Sequence, residues 1–495
     1  MRHIGSQTEP FWDDHLIDFS RTTAEFKVHE PQPREAVLIC DEPWEGDGCG
    51  NMSIVKDGTA YRMYYMAGKL YNRERNTVYP EGKVAICCAE SRDGVNWIKP
   101  KLGLREFEGS SENNIVLDKN DGSFWSFTVF LDTGPACTPE TRYKAITHEY
   151  FREGYGGSNL WCYASPDGLH WTKGRMITDK GRLDTANVCF YDHYRNEYMC
   201  YIRDIHSFDQ TSGTYANIRD IQDFDWQLYV RDIRLTTSKD FITWTDPVPM
   251  DFGNRRDYPM YTNCVQRYDR TPHMLLAFPT RYIEREIWTE NYDQLPNAEL
   301  RKSLNEMAVR YGMSLSDCVF MCSRDGRKWY RHEDAFISPG IERKGNWVYG
   351  DCYPALGMIE TKNSLPDAPD ELSIYCHEMQ WSADVVFRRY SLRKDGFVSL
   401  RAGYAEKKVV TTEVVFTGDR MELNFSTSAF GHVHISIKNR ESNAAERTIT
   451  SCELFGNSLN RIVTFDGKLG EFAGKPVTIE FAMSDADIYS MRFFE

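Results

Sequence analysis

The sequence has no apolar stretch long enough to cross a bilayer. Its start, MRHIGSQTEPFWDDHLIDFS, has neither an apolar core of signal-peptide length nor a small-residue cleavage site. A cytoplasmic protein without membrane contact is therefore expected. No GxGxxG, P-loop, HExxH or GxSxG pattern occurs, which leaves nucleotide cofactors and serine hydrolysis unsupported and sets the expected cofactor list to none. Positive charge is in short supply: 59 Lys and Arg face 73 Asp and Glu, for a formal net charge of −14. A basic face for phosphates is missing, so nucleic acid is not an expected partner. Cysteine is not scarce, at 14 residues, but CxxC pairs are absent, and the closest spacings are Cys87-Cys88 and Cys318-x-x-x-Cys322. Cys162 and Cys189 sit in apolar strand-like runs, LWCYAS and VCFYD. Reduced thiols acting as small buried hydrophobes fit this usage better than a disulfide framework or a zinc site, and no metal is assigned.

Helical periodicity is also missing, apart from one segment near 284–312 (EREIWTENYDQLPNAELRKSLNEMAVRYG). What replaces it is aromatic: Phe, Trp and Tyr make up 14% of the chain, a composition suited to pleated, half-buried surfaces. One pattern recurs, Ser-x-Asp-(Gly)-x-x-Trp, at Ser91–Trp97, Ser165–Trp171, Ser238–Trp244 and Ser323–Trp329. A weaker fifth copy is Ser391-Leu-Arg-Lys-Asp395-Gly396-Phe397. An apolar strand-like run precedes each copy, and Asp-Gly between two strands signals a hairpin because Gly relieves the cost of positive φ. Each copy thus marks the outer hairpin of one repeating unit. About four strands per unit and five units predict an all-β chain, a five-bladed β-propeller over residues 1–400. From Arg401 onward short alternating strands (TEVVF, RMELNFS, HVHISIK, PVTIEFA, YSMRFF) predict a β-sandwich over 401–495.

The pieces PWEGDG, ESRDGVNWIKPKLGL, RYKA, SRDGRKW, KDGFVSLRAGY, LNFSTSAFG and DADIYSMRF resemble a bacterial group related to glycoside hydrolase family 32, within the family 32/43 superfamily. The resemblance covers nearly the whole chain. It implies a propeller-plus-sandwich fold and hydrolysis of O-glycosyl bonds, with an exo-acting, β-fructofuranosidase-like enzyme on a terminal furanosyl unit as the leading expectation. That family carries three acidic motifs, one per inner strand of the first three blades. The first, Trp-x-Asn-Asp-Pro-x-Gly, is matched by Trp44-Glu45-Gly46-Asp47-Gly48 without its Asn and Pro, and implies Asp47 as nucleophile. The second, Arg-Asp-Pro, is matched only by Asp132. At the third, Glu-Cys, the chain offers Asp184 instead.

Glycoside cleavage needs two carboxyl groups in opposite protonation states across the scissile bond. Acids from separate blades meeting at one mouth of the channel would supply them. The expectation is that Asp47, Asp132 and Asp184 converge there, with Glu45 or Glu378 as substitutes for the general acid. Aromatic rings to stack on sugars and guanidinium forks to grip hydroxyls or carboxylates are sought in Trp44, Arg203, Arg231, Tyr258, Tyr261, Arg281 and Trp347, and Asp351 is a further substrate-binding candidate. Two other readings stay open: a sialidase-like propeller that grips an acidic sugar with an arginine cluster, and a non-catalytic glycan-binding propeller. A carbohydrate is the expected partner in all three, and nothing in the sequence stands against a homo-oligomer.

Overall fold

The computed structural model describes residues 1–72, 77–78, 84–122, 124, 126–150, 158–207, 229–285, 287–382, 384–439 and 447–495. The chain divides into two compact units, one of Pro31–Arg267 with Leu275–Ser391, the other of Met1–Glu30, Tyr268–Met274 and Leu392–Glu495.

The larger unit is a five-bladed β-propeller. Blade one runs through Gly50–Asp57, Ala60–Ala67, Ala85–Ser91 and Trp97–Ile98. Blade two is Thr128–Leu131, Tyr143–Tyr150, Ser158–Ser165 and Thr172–Thr178, and blade three is Val188–Asp192, Glu197–Ser207, Tyr229–Ser238 and Val248–Pro249. Blade four opens on Gln266–Arg267. Its second strand is broken into Leu275–Ala277 and Thr280–Glu284, both paired to Ser314–Ser323, with Tyr330–Ile337 outside. Blade five holds Ile359–Thr361, Glu371–Glu378 and Val386–Leu392, and takes its outer strand, Gln32–Ile39, from the other end of the propeller chain. The segment near 284–312 forms three short helices, Glu290–Gln294, Ala298–Met307 and Val309–Met313, between two strands of blade four.

The core lies between blades, because each twisted sheet buries both faces against its neighbours. Met63, Tyr65 and Cys87 of blade one pack with Tyr375 and Phe387 of blade five, and Val188 and Tyr201 of blade three pack with Leu275 and Met321 of blade four. Twelve of the fourteen cysteines are buried. Inner strands run side by side and parallel: Ser53 bridges Leu356, and Ser53 Oγ accepts the Val129 N–H at 3.0 Å. They surround a narrow axial void lined by Asn51, Thr128, Ala186, Thr262 and Tyr353, at least one residue from each blade.

Three of the hairpin repeats, at Ser91, Ser165 and Ser323, share one set of bonds, and the Ser238 copy has in common with them only those made by its serine and Asp240. In Ser165–Trp171, Ser165 Oγ accepts the Gly168 N–H at 2.8 Å, Asp167 accepts the Leu169 and His170 N–H groups at 2.9 Å, and the Trp171 indole donates to Gly168 O at 3.0 Å. The fifth copy departs from this. Asp395 is fully buried in the smaller unit, where it accepts hydrogen bonds from Arg270, Tyr268 and Ser490. Blade five needs no such hairpin because its outer strand comes from Gln32–Ile39.

The smaller unit is a β-sandwich built on two long strands, Arg420–Asn439 and Thr478–Phe494, around Leu423, Phe425, Ile435, Phe481 and Ile488. Its N-terminal part corrects the expected boundaries. Arg2–Gly5 pairs with Val414–Phe416, Thr8–Pro10 with Thr478–Phe494, and Glu25–Val28 with Val398–Ala402. The first thirty residues therefore belong with the C-terminal strands and not to a propeller of residues 1–400. Sequence periodicity alone could not reveal pairing between segments about four hundred residues apart.

Candidate active site

The leading ends of the inner strands open into a cleft of about 1690 Å³. Gly50 and Asn51 bring blade one to it, Asp184 and Thr185 blade three, Tyr258 and Tyr261 blade four, and Tyr349 and Tyr353 blade five. The helical insertion adds Val309, Arg310 and Tyr311. Of the residues singled out by sequence, Asp184, Arg231, Tyr258, Tyr261, Arg281 and Trp347 line this cleft, and Arg203 lies directly behind Asp184 as its ion-pair partner.

The expected convergence of three aspartates is not found. Asp132 follows the blade-two strand that Thr128 begins at the channel, so it stands four residues, or about 13 Å of extended chain, toward the opposite end. There it is sealed by an ion pair with the buried Lys144 and accepts the Tyr198 hydroxyl at 3.0 Å. It anchors blades two and three. Asp47 is not among the residues that line the cleft: its carboxylate is taken up behind the lining residue Leu70, accepting the backbone N–H groups of Leu70 at 2.6 Å and Tyr71 at 3.3 Å. Burial pushes this carboxyl up from the usual range, against those two hydrogen bonds. The part of the loop that reaches the cleft is Gly50–Asn51, three residues later.

The alternative acids are structural as well. Glu45 is fully buried, accepting from Tyr65 at 2.6 Å and pairing with Lys99 at 2.7 Å. Glu378 pairs with Arg343 at 2.7 Å and Arg388 at 2.9 Å. Burial would raise it, but these guanidinium groups hold it below the ordinary value, the opposite of what a general acid needs. Asp351 is buried behind the cleft wall, where it accepts the Val348 N–H at 3.0 Å and closes the 348–351 turn. Trp44 is no sugar platform: its indole donates to Asn114 at 2.9 Å and its ring meets Phe107 edge-on.

The cleft floor is made of tyrosines and arginines. Tyr261, Tyr282 and Tyr349 form a triangle with ring centroids 6.4, 6.3 and 6.3 Å apart. Each ring faces a guanidinium: Arg203 is 5.3 Å from Tyr261, Arg231 is 5.3 Å from Tyr282, and Arg310 is 5.4 Å from Tyr349. Burial and the nearby charge of Arg231 pull Arg203 down to about 10. Arg231 also donates to the Tyr282 hydroxyl. His377, beside Tyr353, donates from Nε2 to Gly350 O at 2.7 Å and toward Gln380 Oε1 at 3.3 Å, and its burial holds the ring below the usual range. A side chain on Gly50 would meet its Nδ1 at 3.0 Å, which explains glycine there. At the cleft's edge His206 bridges Asp232 at 2.9 Å and Asp257 at 2.7 Å. Burial would lower it, but the two carboxylates carry it up to about 9.

Tyr282, Arg310, Tyr349 and Tyr353 are the main lining residues that sequence reasoning missed. Tyr349 and Tyr353 stand in NWVYGDCYP, the segment already marked by Trp347 and Asp351. Arg310 lay in the insertion, whose helical pattern gave no reason to point it at the channel.

No known protein family matches the chain, and no curated protein matches it in sequence. Solved structures resemble it in fold. One described as a glycoside hydrolase is 11% identical with a TM-score of 0.45, covering 74% of this chain and 92% of its own. A GH32 β-fructofuranosidase from Bombyx mori is 7% identical at a TM-score of 0.39, covering 94% of each chain. A fructofuranosidase from Schwanniomyces occidentalis, complexed with fructose, is 10% identical at 0.37, covering 95% of this chain and 98% of its own.

Proposed function

We propose that the protein is a glycoside hydrolase that cleaves its substrate in the cleft at the mouth of the propeller, with Asp184 as the carboxylate at the reacting centre. One observation carries this reading. Asp184 stands four residues before the inner strand of blade three, lines the cleft, and is oriented by the buried guanidinium of Arg203. A carboxylate fixed in this way suits attack at, or electrostatic stabilisation of, an anomeric carbon. The second carboxyl group is Glu284. Asp317 and Asp257 also line the cleft, but Asp317 is held by Arg281 at 2.6 Å and Asp257 by His206, whereas Glu284 has no ion pair among the described residues. Tyr261, Tyr353 and Trp347 offer faces for sugar rings.

The narrower expectation, an exo-acting furanosidase, required Asp47 and Asp132 beside Asp184. With those two engaged elsewhere, the fold alone supports it. The same fact favours the second reading, a glycan-binding propeller without catalysis. The two separate in one experiment: wild type, Asp184→Asn and Glu284→Gln are assayed against a panel of aryl glycosides and oligosaccharides, with binding followed by calorimetry. Hydrolysis by wild type, reduced by two or more orders of magnitude in Asp184→Asn with ligand binding retained, is the expected result. Binding without hydrolysis across the panel, unchanged by either substitution, would leave the binding module as the correct reading.

A further inference from the structure

We infer that the sugar bound in this cleft is anionic, and that its acidic group seats on the Arg310 side of the tyrosine triangle. This rests on the cleft being the glycan site, and it names the substrate class. Three guanidinium groups stand over three mutually packed tyrosine rings; of the carboxylates lining the cleft, Asp184 is bound to Arg203, Asp317 to Arg281 and Asp257 to His206, which leaves Glu284 against Arg256, Arg285 and Arg310. Arg310 is half-buried between Tyr311 at 5.2 Å and Tyr349 at 5.4 Å, contacts that hold a cation by its faces and leave the planar edge of the fork to accept an oxyanion. It forms no ion pair among the described residues, although the protein carries a net charge of −14 and most of its other half-buried arginines are paired. Arg281 with Asp317, Arg142 with Asp57 and Arg388 with Glu378 are examples. Arg256 and Arg285 lie on the same wall and likewise pair with no carboxylate among the described residues.

Cations gathered in a partly desolvated cleft repel one another, and Arg310 costs free energy there unless a counter-charge joins it. A neutral sugar would leave that cost standing. A carboxylate or sulfate ester on the sugar removes it and gains charge-assisted hydrogen bonds, while the tyrosine rings take the apolar face of the pyranose or furanose. Arg203 answers to the same cluster, since its value falls partly through the charges of Arg231 and Arg310.

The test uses calorimetric titration of the full-length protein with galactose, galacturonate, glucuronate, N-acetylneuraminate and galactose 6-sulfate, at low and at 0.5 M salt. Wild type should bind at least one acidic sugar about tenfold or more tightly than the neutral one, in keeping with a charged hydrogen bond. Preference for the carboxylated sugars identifies a carboxylate seat, and preference for the sulfated one a sulfate seat. Arg310→Met, which keeps packing and loses charge, should bring acidic and neutral sugars to nearly equal affinity. Arg310→Lys should retain part of the preference, and the melting temperature of both variants reports whether the fold survives. Asp184→Asn should keep the acidic preference, so loss of turnover in that variant and loss of charge selectivity in Arg310→Met are separate results. Equal affinity of wild type for neutral and acidic sugars, or a preference indifferent to Arg310→Met, overturns the inference and leaves the proposed hydrolysis untouched.

Discussion

At the scale of single residues, burial decides which acids keep their protons. Asp351 is the sharpest case. Burial pushes its carboxyl up to about 7, helped by the charge of Glu378 and opposed by the Val348 and Trp347 N–H groups and by Arg343. Arg301 in turn feels the charge of Asp351. In the unfolded chain this carboxyl ionises near 4. The folded state is therefore favoured below about pH 4, and that contribution is lost as pH rises through about 7, where the folded protein must ionise a buried group. Asp351→Asn preserves the side chain's shape and carbonyl acceptor without the charge. Its melting temperature should match wild type near pH 4 and exceed it by a margin that widens up to pH 8. A constant offset across that range would mean that the turn, and not the proton, sets its effect. The same reasoning explains why Asp47 and Asp132 misled the sequence reading. An aspartate one loop away from a channel and an aspartate in it look alike in a linear motif. What separates them is whether nearby N–H groups or a lysine capture the carboxylate first, and those partners are 23 residues away for Asp47 and 12 for Asp132.

At the scale of the element, the Ser-x-Asp-Gly-x-x-Trp hairpin was fully legible. Its bonds are local, within three residues, and they are satisfied by side chains the motif itself specifies. What the motif did not reveal is its use between blades. The Tyr64 hydroxyl of blade one donates to Gly168 O of blade two at 2.9 Å, Tyr201 of blade three does the same to Gly326 O of blade four at 2.9 Å, and Tyr375 of blade five reaches Gly94 O of blade one. Gly168 has φ of +78°, and a side chain there would lie 2.4 Å from the Tyr64 hydroxyl. Gly168→Ala thus meets both backbone strain and a clash. Trp171 packs edge-on against Phe127 at 5.0 Å and Tyr64 at 6.0 Å, so Trp171→Ala should cost about 3 kcal/mol. Both variants should melt earlier than wild type while leaving ligand affinity in the cleft unchanged. Activity lost at full stability would show that these hairpins have a role in the site. The third hairpin has Phe241 at the position of the glycine, with φ of +61°. Phe241→Gly should relieve its backbone but remove a ring packed against Tyr198 at 4.9 Å and Trp244 at 5.3 Å.

At the scale of the whole propeller, five blades were countable from the repeat spacing, but closure was not. A repeat count says nothing about which strand completes the last blade. Here Gln32–Ile39 does so, with Leu38 opposite Phe387 and Glu35 paired to Arg389 at 2.9 Å. Without that strand, Val386–Leu392 would be an open edge, the kind that templates association between chains. Leu38 is buried in the layer that also holds Met63 and Tyr65 of blade one and Tyr375 and Phe387 of blade five. The strand therefore joins the first and last blades twice, by its hydrogen bonds to blade five and by its side chains to blade one. Because the ring is closed, loosening this one strand should be felt on both sides. Leu38→Ala removes a buried side chain and should destabilise the propeller by about 2–4 kcal/mol. Hydrogen–deuterium exchange should rise together in Ala60–Ala67 and Glu371–Glu378, ahead of Glu197–Ser207 in blade three, which lies across the ring and shares no packing layer with Leu38. Exchange that rises in blade five alone would mean that closure is carried by the strand pairing, with the shared layer contributing little.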